Sequence, residues 1–254
     1  MRDSATRRLR RLWLALPGLL ALPGSVAATP FYAPPPPEED AATFSGEAEL
    51  GFTHLSGNTD SQTLIGKGSL TWLTGDWMHT LRGEVRHISR DGETSAEQYL
   101  AGIRERYDFQ GPHYLFGFAR WEKDRFGGYD QQFTAIAGYG RQLLDGERHQ
   151  LSLEAGPGFR ADRVRDGENE TLAVAYSALD YRWAFSETAS LDQELSVEAT
   201  EENTTSRSLT GLTARLNSHL ALKLSHEIEH NSQPPESAAS RTDHTTSATL
   251  LYSW

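Results

Sequence analysis

HLALKLSHEIE, residues 219–229, reads differently at every second position. Leu220, Leu222, Leu224 and Ile228 fall on one side of an extended chain, while Lys223, Ser225, Glu227 and Glu229 fall on the other. A helix would wind both sets into one mixed surface; a strand keeps them as two separate faces. The split recurs in FSGEAELGFTHL, residues 44–55, where Phe44, Ala48, Leu50 and Phe52 oppose Ser45, Glu47, Glu49 and Thr53. It recurs again in HQLSLEAGPGFRAD, residues 149–162. No helical period interrupts the run.

Marking each such stretch outward from 219–229 gives about twelve strands, at 44–55, 62–73, 77–89, 97–109, 113–125, 131–143, 149–162, 171–184, 190–201, 206–216, 219–230 and 244–254. Strands of soluble proteins cluster near five or six residues, whereas a tilted bilayer crossing takes about 9 to 11. The lengths therefore predict an all-β protein, a transmembrane antiparallel β-barrel of about twelve strands. Even-numbered connections are short and turn-forming (TGD, QGP, LDGE, SETA, NS), and odd-numbered ones run longer and polar, among them SGNTDS, RDGETSA, VRDGENE and 231–243. That asymmetry places the amino and carboxy termini in the periplasm, and an even strand count brings the last strand beside the first, removing both sheet edges.

The ends of the chain fit export. Residues 1–28 read as a signal peptide: five arginines against one aspartate before an apolar run from Leu12 to Leu22, then small residues at Val26, Ala27 and Ala28. Its removal takes five positive charges and one negative, so the formal charge of −11 becomes −15. An acidic mature protein argues against a nucleic-acid partner. Residues 29–43, with Pro34 to Pro37 consecutive, form a periplasmic spacer, since proline donates no ladder hydrogen bond and favours an extended helix. The barrel occupies 44–254. Cysteine is absent, so neither a disulfide framework nor thiol chemistry arises. At the far end, Ala248, Leu250, Tyr252 and Trp254 share one face and close on a terminal aromatic. This pattern resembles the signal by which the outer-membrane barrel assembly machinery recognises its substrates.

GFTHLSGNTDSQT (51–63) and RWEKDRFGGYDQQFTAIAGYGRQLLD (120–145) resemble the YdiY-like family, described as salt-induced outer-membrane proteins and otherwise as a domain of unknown function. The likeness in spacing runs from Phe44 to Trp254. The resemblance implies an outer-membrane barrel of Gram-negative bacteria and names no reaction, substrate or cofactor.

Alternation assigns the lumen. Arg82, Glu84, Arg86, Arg104, Arg106, Arg120, Glu122 and Asp124 gather on the inward face of strands three to five; Glu47, Glu49, Glu154, Asp180, Asp192, Glu194, Glu198, Glu227 and Glu229 make the remaining wall acidic. Two readings follow: a transverse field guiding small polar solutes or ions through a narrow or gated channel, or charges that pair across a narrow interior and fill a closed structural or adhesive barrel. Trp72, Trp77, Trp121, Trp183, Tyr114, Tyr252 and Trp254 sit near strand ends as membrane-interface aromatics. Glu105 is an exception, outward by parity in YLAGIRERYDF unless a bulge near Gly102 turns it inward.

No catalytic, metal or cofactor set is expected. Ser225 and His226 are adjacent and so point to opposite faces, and His54, His87, His226, His230 and His244 have no triad or metal spacing. The expected partners are the lipid bilayer and lipopolysaccharide, around a monomer.

Overall fold

A computed structural model describes residues 43–55, 61–90, 93–124, 129–164, 169–234 and 240–254. The expected signal peptide lies outside the described residues, as does all of the spacer except Thr43. The strands are β1 Phe44–Leu55, β2 Ser61–Thr74, β3 Trp77–Arg90, β4 Glu93–Asp108, β5 His113–Asp124 and β6 Tyr129–Asp145, then β7 His149–Val164, β8 Asn169–Ser186, β9 Ala189–Ala199, β10 Thr204–Arg215, β11 Leu220–Asn231 and β12 Thr242–Ser253. Each pairs with its sequence neighbours, and β1 pairs antiparallel with β12, closing the barrel.

Each of the twelve strands overlaps the stretch where alternation puts one. At one end the connections are 75–76, 109–112, 146–148, 187–188 and 216–219, and β1 starts and β12 finishes there. Gly75 and Gly111 take φ of 59° and 85° in two of these turns, a conformation open to glycine at little cost. The other end carries 56–60, 91–92, 125–128, 165–168, 200–203 and 232–241. Its loops are shorter than expected. RDGETSA, read as a loop, is strand on both sides of 91–92, because Ser89 pairs with Thr94 and Arg90 with Glu93 beyond a register shift at Ile88. Polar side chains do not stop a ladder once its backbone groups pair.

The outer face is apolar. Leu50, Phe52, Leu64, Val85, Ile103, Phe133, Phe159, Leu195, Leu222 and Leu250 are all exposed, a continuous apolar belt that water would not tolerate and hydrocarbon would. Trp77, Trp183, Tyr252 and Trp254 are exposed at the short-turn end and Trp121 near the opposite one. Trp72 is half-buried and stacks on His79 at 5.1 Å. Tyr114 departs from the expectation. It is fully buried inside the barrel, because inward-facing Gly140 leaves bare backbone opposite its ring.

Polar groups on the outside satisfy one another. Gln193 bonds Thr210 at 2.6 Å and Ser208 at 3.1 Å, His226 meets Thr246 at 2.8 Å, and His230 meets Thr242 at 2.8 Å. Glu105 is likewise answered on the outside. The ladder between β3 and β4 runs in register through Gly102, so no bulge turns Glu105 inward; it lies directly opposite His79 and pairs with it beside Trp77. An aromatic belt next to a turn is the depth at which a lipid-facing carboxylate costs least.

Candidate functional site

Closure turns the second face of all the strands into a lumen. Register places Glu47 and Glu49 opposite Ser253 and Leu251, Glu84 opposite Lys67, and Glu122 opposite Leu100 and Gln132, so all point the same way, into the barrel. The inner wall is then joined across the lumen in three places.

Toward the long-loop end, Arg120 on β5 donates to Glu198 on β9 at 2.9 and 3.2 Å, and to Glu122 at 2.7 Å. Arg207 on β10 reaches the same Glu198 at 3.0 Å and Glu229 on β11 at 2.9 Å, and lies 3.9 Å from Glu122. A second bridge joins β2 and β3 to β11. In it Arg86 donates to Glu227 at 3.0 Å and Glu84 at 3.1 Å, while Lys67 donates to the other Glu227 oxygen at 2.8 Å. In the third, Arg104 on β4 pairs with Glu154 on β7, which also accepts the Tyr114 hydroxyl at 2.9 Å. Arg86, Arg104, Arg120, Glu198 and Glu227 are at most 2% exposed, so these bridges are shut off from water. Arg106 folds back onto Asp108 at 2.6 Å with its guanidinium 3.7 Å from the centre of the Tyr114 ring. Gln98 donates to Asp124 at 2.7 Å.

One wall of the lumen is apolar, which alternation did not predict. Tyr114, Phe116 and Phe118 of β5 pack with Ile136 of β6 and Val174 and Tyr176 of β8. Room for these rings comes from Gly138, Gly140, Gly156 and Gly158, inward positions on β6 and β7 where an added Cβ would strike backbone, Ile136 or the Tyr114 ring. Two glycines at every-second spacing on each of two neighbouring strands was the available signal. Arg207 and Lys67 were also missed. Arg207 sits in TTSRSLTGLTAR, polar on both faces, and Lys67 stands between two glycines, so neither stretch shows a clean alternation.

Below the bridges, at the short-turn end, the lumen opens into a cavity of about 400 Å³. Carboxylates of Glu47, Glu49, Asp192 and Glu194 share its wall with Lys67, Arg82, Arg182 and Lys223. Lys223 donates to Glu49 at 2.7 Å, Arg82 lies 4.0 Å from Glu84, and Glu47 is exposed at the mouth. Ser225 is buried inside and His226 exposed outside, so the two do not meet. His87 and His244 are also exposed on the outer face, and the side chain of His54 lies outside the described residues.

A solved NanC porin has a similar fold, with a TM-score of 0.51 at 3% identity over 83% of this chain and 98% of that one. The COG4313 outer membrane channel from Pseudomonas putida F1 compares at 0.50 and 10% identity, over 83% and 94%. These likenesses bear on the fold alone: a closed barrel of the outer-membrane kind. In sequence, the chain is 38% identical over 210 residues to the "Uncharacterized protein YdiY" of Escherichia coli (strain K12), covering 83% of each. The family model described as "Protein of unknown function, DUF481" matches residues 48–254, and the chain belongs to that family.

Proposed function

We propose that this barrel is a narrow, gated outer-membrane channel for small polar solutes or ions, seen here in its closed state. One observation carries the reading: the lumen is crossed by a set of buried charge bridges above an open, charged vestibule. Salt bridges can exchange partners with water and permeating ions, which a packed apolar plug cannot. On this reading the short-turn end faces the periplasm, as short turns do in such barrels. Residues 1–28 serve as the export signal, the carboxy-terminal strand is read by the assembly machinery, and a monomer sits among lipopolysaccharide. Salt stress is the condition under which the family resemblance would have it act.

Planar-bilayer recording on refolded protein tests this. Wild-type protein should give rare, small conductance steps. Arg104→Ala, which removes the β4 side of one bridge, should raise their frequency and shift selectivity toward cations, since Glu154 is left without its guanidinium. Silence from both well-folded proteins overturns the proposal. A second reading, a closed structural or adhesive barrel, is favoured by the aromatic cluster around Phe116. It predicts no conductance in any bridge variant.

A further inference from the structure

The vestibule at the short-turn end is lined by four carboxylates and four cations, but two of the cations pair with carboxylates outside it and leave acid unanswered. Its lysines and arginines are matched: Lys67 to Glu227 at 2.8 Å, Lys223 to Glu49 at 2.7 Å, Arg182 to Asp192 at 3.8 Å, and Arg82 to Glu84 at 4.0 Å. Two carboxylates, one on the cavity wall and one beside it on the neighbouring strand, are not. Glu194 on β9 and Asp180 on β8 stand directly opposite each other across the ladder. Glu194 Oε2 and Asp180 Oδ2 are both buried with no hydrogen-bond partner among the described residues. Glu194 is only 8% exposed and lines the cavity. Like charges set directly opposite on a sheet repel, and a buried carboxylate without a partner is costly. A chain that keeps both acids here, with Asp192 two residues from Glu194 on the same face, has a site that wants a positive group.

The kind of positive group follows from the surroundings. No set of three or more His, Cys, Asp or Glu among the described residues is disposed to hold a metal ion. The space is about 400 Å³, far larger than an ion needs. Orphaned oxygens call for N–H donors rather than a diffuse charge. The same cavity is lined by Leu73, Met78, Leu209 and Leu251, apolar surface suited to a short alkyl chain, and Glu47 offers a further carboxylate at the mouth.

We propose that the vestibule binds a short alkylammonium ion, with its ammonium group on Glu194 and Asp192, its chain along the leucines, and, in a diamine, its second ammonium toward Glu47. The site needs only an open vestibule. It therefore stands or falls separately from conductance.

Isothermal titration calorimetry on the full mature protein, refolded in detergent, tests the site with 1,4-diaminobutane. Saturable binding is expected, at least tenfold weaker in Glu194→Gln. Butylamine should compete, whereas tetramethylammonium, which has no N–H donor, and magnesium should not. A second measurement guards against misfolding. Without ligand Glu194→Gln should unfold at the wild-type temperature or above it, because a repulsion is gone, and 1,4-diaminobutane should raise the unfolding temperature of the wild type alone. Absence of saturable binding in wild type, equal binding by Glu194→Gln, or equal competition by tetramethylammonium or magnesium each overturns the proposal.

Discussion

Glu198 accepts hydrogen bonds from two guanidiniums, those of Arg120 and Arg207, at a point where it is 1% exposed. Removing it would strip both guanidiniums of their shared carboxylate out of reach of water, leaving Arg120 with Glu122 and Arg207 with Glu229. Breaking a buried pair by deleting one partner costs about 3–5 kcal/mol. Glu198→Ala should lose stability of that order in urea unfolding of the barrel in lipid vesicles, and a loss near that of an exposed surface substitution would remove Glu198 from the bridge. At this scale the sequence is half legible. Arg120 and Glu198 were each legible as inward residues, Arg120 from the alternation of ARWEKD at the end of β5 and Glu198 from that of all of β9. That they meet was not, since β5 and β9 are four strands apart and only closure of the ring brings them together. Tyr114 failed for a related reason: HYLFGFARWEKD is apolar on both faces, and which aromatics turn inward is decided by glycines on β6 and β7, outside its own strand.

Strands were the most legible elements, because a membrane imposes both their length and their two faces. The same constraint gives a depth-dependent expectation. Ile103, opposite Leu81 well inside β4, and Leu115, next to the turn before β5, are both exposed and apolar. Arginine near the hydrocarbon midplane costs about 2–4 kcal/mol and near an interface about 0–1 kcal/mol. Ile103→Arg should therefore destabilise the barrel by more than Leu115→Arg in the same vesicle unfolding assay. Equal costs would contradict a lipid-facing belt. Loop lengths were less legible than strands. Above the membrane, water satisfies polar side chains in a turn or in a ladder alike, so GETSA carries no composition signal for the strand it joins.

As a whole the molecule is a ring with uneven joints. β1 and β2 pair from Phe44–Trp72 through to Leu55–Ser61, and β3 and β4 from Trp77–Tyr107 to Arg90–Glu93, whereas β1 and β12 pair only from Glu47–Ser253 to Leu50–Leu250. Gly46 and Trp254 add two backbone hydrogen bonds at 3.1 and 3.0 Å, with the indole lying where a Gly46 side chain would be. The Trp254 ring thus fastens a short joint from outside. Such a joint behaves like a zip fastened at one end only. If the two termini are drawn apart in a single-molecule pulling experiment, the first rupture should peel β12 from β1 at low force, with later ruptures releasing hairpins whose ladders are longer. A first event that frees β3 and β4 instead would mean that the closing joint is not where the cylinder yields.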